Sequence, residues 1–146
     1  RRIEGGGLCE DLLGKLKKVS ALVEQIKDRS PEIVEEYRQK ITERIQELIG
    51  DSQIDERVLA TELILYADKI CVDEEIVRLQ THVAHMTETL TQAGDAVGRK
   101  LDFLTQEMNR EANTILSKAN DSIMSEYGIE LKTEIEKIRE QIQNIE

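Results

Sequence analysis

The chain has 146 residues, and its 20 Lys and Arg against 30 Asp and Glu give a formal net charge of −10 at pH 7 with histidine neutral. The aromatic content of 3% argues against a β-rich fold, and no apolar run approaches the length that a membrane-spanning helix needs. Two cysteines are too few for a disulfide framework, so we expect a reducing, cytoplasmic compartment.

The first third of the chain has a helical apolar period. Apolar residues at three- and four-residue steps predict an amphipathic helix over residues 8–26. The Ser-Pro-Glu sequence at 30–32 is typical of a helix start, because serine can cap, proline is tolerated in the first turn and glutamate suits the positive end of the helix dipole. The same proline is also compatible with a kink in one long helix. The period continues over 33–49, and Gly50 ends it.

The remaining chain predicts further helices separated by short loops. Asp55 can cap a helix over 58–70, and a new start is expected at Asp73, where three acids precede an apolar period. Another helix runs from Gly98, and the last one carries isoleucines over 135–145 at coiled-coil spacing. We therefore predict an all-α fold of four or five long helices in antiparallel hairpins or a bundle. Because the apolar stripes are narrow, we also expect an oligomer or a partner domain.

Familiar catalytic motifs such as a Gly-rich phosphate loop, Cys-x-x-Cys or His-Glu-x-x-His are absent from the sequence. Two histidines, His82 and His85, stand three residues apart on a predicted helix and share a face with Glu75. One histidine and nearby carboxylates could hold a divalent cation through mixed nitrogen and oxygen ligands. The alternative is a solvated or interface histidine that pairs with Glu75 or Glu88.

The segment 102–118 combines weak helix formers with like charges. Four polar residues recur at steps of four, three and four, namely Asp102, Gln106, Asn109 and Asn113. Glu107 and Glu111 form a like-charge pair that disfavours a helix unless a cation or Arg110 offsets it. Oxygen-rich, anionic faces suit Mg²⁺ or Mn²⁺, whereas the alternative is a buried polar network between helices.

The same segment carries a family resemblance. The sequence GRKLDFLTQEMNREANT at 98–114, followed by Ser-Lys at 117–118, closely resembles the signature of the YicC/YloC-like bacterial proteins. The ending EIEKIREQIQNIE at 134–146 resembles the end of that family, and residues 74–82 resemble its middle motif. The resemblance extends over essentially the whole chain, and Cys71 stands where the family commonly has an acidic residue.

The resemblance implies a cytosolic endoribonuclease that depends on a divalent metal and assembles into ring-like homo-oligomers, with hexamers expected. Residues 1–146 would be the helical C-terminal domain, without the family's N-terminal domain.

We assign candidate roles to residues of matching type, with RNA as the substrate and Mg²⁺ or Mn²⁺ as the cofactor. Glu75, Glu107 and Glu111 are candidate cation ligands, and His82 is a candidate ligand or general base. The candidate substrate-binding residues are Arg99, Lys100, Asn109, Arg110, Asn113, Lys118, Arg139 and Gln143. Metal-assisted phosphodiester cleavage needs anionic ligands for the cation and donors near the phosphate, and this set supplies both.

A second hypothesis makes the chain a non-catalytic assembly module. In that case the polar stripe of 102–113 is a buried interface that fixes the register of an oligomer, and catalysis resides elsewhere. The net charge of −10 and the lack of a basic surface for phosphates favour this alternative for the isolated chain.

Overall fold

The computed structural model describes residues 6–50, 52–92 and 97–145 and contains five α-helices and no strand within these ranges. The predicted all-α class is therefore confirmed. In chain order the helices are α1 (Gly6–Ile49), α2 (Glu56–Ile70), α3 (Asp73–Thr91), α4 (Val97–Lys118) and α5 (Ser122–Ile145).

Helix α1 runs without interruption through Pro31, so the predicted helix start at Ser30 is wrong and the alternative of one long helix is confirmed. The Ser30 hydroxyl donates a hydrogen bond to the carbonyl of Ile26, at 3.1 Å, instead of capping a new helix. Ile33, two residues after the proline, is buried in the same core as Ile26 before it, so the apolar face of the helix continues past Pro31. Gly50 ends it with a φ of 62°, a left-handed conformation that glycine adopts without a steric cost.

The starts of the next two helices agree with the sequence. The Asp55 carboxylate accepts a hydrogen bond from the backbone N–H of Arg57, at 3.0 Å, and so caps α2. Helix α3 begins at Asp73 with three acids in its first turn, where they interact favourably with the helix dipole.

Four of the helices form a bundle in which each packs against two neighbours. Helices α1 and α4 each contact both α3 and α5, and α2 packs on α1. Pairing of Glu75 with Lys118 and of Arg78 with Glu111 shows that α3 and α4 are antiparallel. This antiparallel arrangement places the middle of α3 beside the middle of α4.

The core of the bundle lies along the predicted apolar stripes. Ile135, Ile138 and Ile142 of α5 are fully buried within the chain itself. Gly128 allows α4 to approach closely, because a Cβ atom there would lie 2.7 Å from Cδ2 of Leu116. No helix among the described residues is both long and apolar enough to cross a membrane.

Helix α2 forms a hairpin with the second half of α1. The rings of Tyr37 and Tyr66 are stacked with their centroids 3.7 Å apart, and the Tyr37 hydroxyl donates to Glu62 at 2.8 Å. This hydrogen bond and burial raise the pKa of Tyr37. Five large apolar side chains of the hairpin remain exposed, namely Leu48, Ile49, Val58, Ile64 and Leu65.

Candidate functional site

Three chemically suitable side chains converge between α3 and α4. His82 comes from the middle of α3, and Glu107 and Glu111 lie one turn apart on α4. One ligand atom from each of these residues lies within 4.8 Å of the other two. We refer to His82, Glu107 and Glu111 as the His82 site. The antiparallel packing of the two helices explains why residues 25 to 29 positions apart meet here.

The side chains of the His82 site are partly shielded from solvent. Glu111 is only 5% exposed, and His82 and Glu107 are half-buried. Nδ1 of His82 is buried and has no hydrogen-bond partner among the described residues. A buried polar atom without a partner is costly, and a cation is one partner that would satisfy it. The three residues could hold a divalent cation through one nitrogen and two carboxylate ligands, a donor set that suits Mn²⁺.

Arg78 is a neighbour of the site to which the sequence analysis gave no role. Its Nε atom donates to Oε1 of Glu111 at 3.0 Å, and its terminal nitrogens lie 3.5 Å from Glu74 and 3.6 Å from Glu75. The bond to Glu111 raises the pKa of Arg78 above its ordinary value. Its position four residues before His82 could have signalled its proximity, because the two side chains lie on neighbouring turns of one helix face.

Glu75 is a predicted cation ligand that the structure places outside the group of three. Its side chain is 2% exposed, and its carboxylate pairs with Lys118 Nζ at 2.5 Å. The same Nζ donates to the backbone carbonyl of Cys71 at 3.0 Å. Lys118 is one of the predicted substrate-binding residues. In the structure it pairs with a buried carboxylate and connects the end of α4 to the start of α3.

The predicted polar stripe of α4 lies on a different side of the helix from Glu107 and Glu111. Asn109 is two residues from each glutamate, which in an α-helix is about 200° of rotation. Oδ1 of Asn109, Oδ1 of Asp102 and Nε of Arg139 are buried without a hydrogen-bond partner in the described chain. Asp102, Asn109 and Leu116 recur at seven-residue steps and so share a face of α4. Leu116 lies against Gly128 of α5, so we assign Asp102 and Asn109 to the α4–α5 side.

The other predicted substrate-binding residues are exposed. Arg99, Lys100 and Asn113 of α4 and Gln143 of α5 have solvent-facing side chains. Arg110 is also exposed and contacts Glu107 at 3.7 Å. The structure thus separates the predicted residues into four groups, namely the His82 site, the Glu75–Lys118 ion pair, the α4–α5 side and an exposed surface.

A second charged cluster joins α1 to the start of α5, and we call it the Arg29 cluster. Arg29 is 8% exposed and pairs with Asp121 through two bonds of 2.9 and 3.1 Å. It also binds Glu36 at 2.6 Å and lies 3.6 Å from Glu32. The hydrogen bond from Arg29 lowers the pKa of Asp121 below its ordinary value. Asp121 also caps α5 by accepting from the N–H of Met124 at 2.9 Å.

Comparison with known proteins identifies the family. Residues 26–146 match the family model described as "Endoribonuclease YicC-like, C-terminal". The chain is 48% identical, over its whole length, to a protein of Clostridioides difficile named "Probable endoribonuclease YicC", of which it covers 50%. A Haemophilus influenzae protein of the same name is 37% identical over 98% of the chain, which covers 49% of that protein. The chain thus spans about half the length of these relatives, and it belongs to the YicC-like endoribonuclease family, within that family's C-terminal part.

Proposed function

We propose that the chain contributes the cation-binding part of an endoribonuclease active site. The observation that carries the proposal is the convergence of His82, Glu107 and Glu111, with ligand atoms within 4.8 Å of one another. The names of the relatives in Clostridioides difficile and Haemophilus influenzae support RNA as the substrate. We also propose a cytoplasmic location, because the free cysteines Cys9 and Cys71 would stay reduced there.

The three residues would bind Mn²⁺ or Mg²⁺ through the His82 imidazole and the two carboxylates. When bound, such a cation polarises a phosphoryl oxygen and lowers the pKa of water. The half-buried position of Glu107 and the burial of Glu111 reduce competition from solvent for their oxygens. Arg78 orients Glu111 by holding one of its oxygens, and the second oxygen is left for the cation.

Cation binding also addresses the repulsion between the chain and RNA. The net charge of −10 opposes the approach of a polyanion. A divalent ion cancels the charge of the two carboxylates, and the imidazole ligand is neutral, so the occupied site has no net charge. The local repulsion between the site and phosphate is thereby removed. We therefore expect RNA cleavage to depend on an added divalent cation.

To test the proposal, a labelled structured RNA is incubated with the chain. A second set of reactions uses the longest natural form of the protein that contains the chain. Reactions contain Mn²⁺, Mg²⁺ or EDTA. The test variant is Glu107→Gln/Glu111→Gln, and the matched control is Glu43→Gln/Glu47→Gln, two exposed glutamates four residues apart on α1. We expect metal-dependent cuts that fall by about 100-fold or more in the test variant and persist in the control.

Equal cleavage by both double variants would contradict the proposal. Circular dichroism and size-exclusion chromatography with light scattering are run on each variant, because a loss of structure would also abolish cleavage.

Self-assembly is a second candidate function, and an exposed apolar surface favours it. Leu48, Val58, Ile64 and Leu65 of the α1–α2 hairpin are each more than half exposed, and a contiguous patch of exposed apolar side chains marks an interaction surface. We propose that the protein forms homo-oligomers, with a hexamer as the expected state. If Glu107→Gln/Glu111→Gln dissociates the oligomer, the two residues have an assembly role. If cleavage is lost while the oligomer persists, the scaffold hypothesis is wrong for these residues.

A further inference from the structure

We infer that Arg78 binds the RNA phosphate beside the His82 site, an inference that rests on the function proposed above. Arg78 lies on α3, one turn before His82, and its Nε atom contacts Glu111 at 3.0 Å. Its side chain is 48% exposed, whereas that of Glu111 is 6% exposed. The guanidinium therefore lies at the boundary between the buried carboxylate and solvent, where a substrate would approach.

The two terminal nitrogens of Arg78 are weakly engaged. They lie 3.5 Å from Glu74 and 3.6 Å from Glu75, whereas a strong charge-assisted hydrogen bond measures about 2.7–2.9 Å. The Nε contact with Glu111 thus fixes the guanidinium and leaves its two amino groups able to donate. A planar guanidinium with two parallel donors matches a phosphate oxygen pair.

The neighbouring basic residues are less suited to this role. Lys118 is held by Glu75 at 2.5 Å and by the carbonyl of Cys71. Arg110 lies 3.7 Å from Glu107, and its side chain is 74% exposed, without a close hydrogen bond to hold it at the site. Arg78 combines a fixed position, direct contact with a proposed cation ligand and two available donors, so a phosphate that approaches a cation on Glu111 comes within reach of the same guanidinium.

The test separates RNA binding from cation binding. Arg78→Lys keeps the charge and removes the planar pair of donors, and Arg78→Met removes both. The matched control is Arg38→Met, because Arg38 is also about half exposed and pairs with a glutamate, Glu35, on its own helix. RNA affinity is measured by fluorescence anisotropy in Mn²⁺ with a single-stranded 2′-O-methyl oligoribonucleotide, whose integrity is checked on a gel. Mn²⁺ affinity is measured separately by calorimetry without RNA.

We expect both Arg78 variants to bind the oligonucleotide about tenfold more weakly than the wild type. For Arg78→Met, the slope of log K against log salt should decrease in magnitude by about 0.7, the value for one lost phosphate contact on a single strand. Arg78→Lys should keep the wild-type slope and bind Mn²⁺ within about twofold of wild type. Arg38→Met should change neither affinity.

Wild-type RNA affinity and salt slope in Arg78→Met would overturn the inference. An equal loss of Mn²⁺ and RNA affinity in Arg78→Lys would also overturn it, because Arg78 would then act only through Glu111. Failure of the proposed function has a different signature, namely wild-type Mn²⁺ binding and cleavage by Glu107→Gln/Glu111→Gln, whatever the Arg78 variants do.

Discussion

The Arg29 cluster and the His82 site are both built from charged residues on two helices, but they differ in how far those charges are satisfied. In the Arg29 cluster, one guanidinium uses Nε and both terminal nitrogens to bind Asp121 and Glu36. In the His82 site, Arg78 binds Glu111 at 3.0 Å. Within the described ranges, however, Glu107 pairs only with the exposed Arg110, at 3.7 Å, and His82 Nδ1 has no hydrogen-bond partner.

This difference separates a stabilising cluster from a ligand site. When every polar atom of a buried charged side chain is hydrogen-bonded within the protein, these bonds fix the geometry of the helices. No donor or acceptor is then left for a ligand. When potential metal-ligand atoms converge and a buried one has no hydrogen-bond partner, its desolvation costs folding free energy. A bound ligand can offset that cost. We therefore expect substitutions in the Arg29 cluster to change stability and substitutions in the His82 site to change cation binding and cleavage.

The largest expected effect follows from removing the imidazole of the His82 site. In His82→Ala we expect cleavage to fall by about 100-fold, because the proposed cation loses one of three protein ligands. The measurement is kcat/KM with labelled RNA in Mn²⁺. His85→Ala is the matched control, since His85 lies on the same helix but is exposed and outside the group of three. A similar loss in both variants would break the distinction between the two regions.

A smaller but clear loss of stability is expected in the Arg29 cluster. Arg29→Met leaves Asp121 and its neighbouring acids without their cation, so the free energy of unfolding should fall by about 2 kcal/mol, a value reduced by the exposure of Glu32 and Glu36. Urea denaturation measures the change. Arg57→Met, which alters a fully exposed arginine of α2, serves as the control and should leave the midpoint unchanged. Unaltered stability in Arg29→Met would show that the cluster does not hold the helices together.

The pH dependence of the Arg29 cluster should be visible through Asp121. Because Arg29 lowers the pKa of folded Asp121 below its ordinary value of 3.8, the contribution of this carboxylate is complete above that pH and is lost as the pH falls through the folded pKa. Asp121→Asn keeps a cap for α5 but loses the charge, so it should be less stable by about 1 kcal/mol at neutral pH. The difference from wild type should shrink in acid.

Unfolding is followed from neutral pH to about pH 2.5 for both proteins. In an Arg29→Met background, this pH dependence should be weaker, because only the backbone N–H bonds to Asp121 still lower its pKa. A difference that persists unchanged in acid would contradict the assigned pairing.

The smallest effect is expected at Cys71, which lies between α2 and α3. Cys71 is exposed, follows α2 and contributes its backbone carbonyl to Lys118. Because its side chain is not part of the His82 site, Cys71→Asp should change Mn²⁺ affinity by less than about twofold, apart from a weak long-range attraction. A tenfold tighter binding would extend the site toward α2.

The sequence predicted the helices better than their continuity. Apolar periods correctly predicted the all-α class, the start of α3 at Asp73 and the cap at Asp55, because these signals are local. The fate of Pro31 depended on tertiary packing. Ile33, two residues after the proline, is buried. Arg29, two residues before it, is held by Asp121 from α5, a partner 92 residues away that local patterns cannot reveal.

The spacing in the sequence predicted that Glu107 and Glu111 lie side by side, but not which residues of other helices they meet. The four-residue step of Glu107 and Glu111 required a shared face, and the family resemblance added His82. Spacing alone made His82 and His85 equal candidates for a cation ligand. A three-residue step leaves two side chains about 60° apart around the helix, so at the edge of a helix interface one can face the neighbouring helix while the other faces solvent. The capture of Glu75 by Lys118 depends on the antiparallel register of α3 and α4, which no local pattern encodes.

Calorimetric titration of Mn²⁺ into the metal-free chain tests the central claim, that His82, Glu107 and Glu111 form a cation site. Wild type, Glu107→Gln/Glu111→Gln and Glu43→Gln/Glu47→Gln are compared in the same buffer, with circular dichroism as the check on folding. We predict one binding event in the wild type and in the control, and its loss in Glu107→Gln/Glu111→Gln. Equal Mn²⁺ binding by all three folded proteins would contradict the claim.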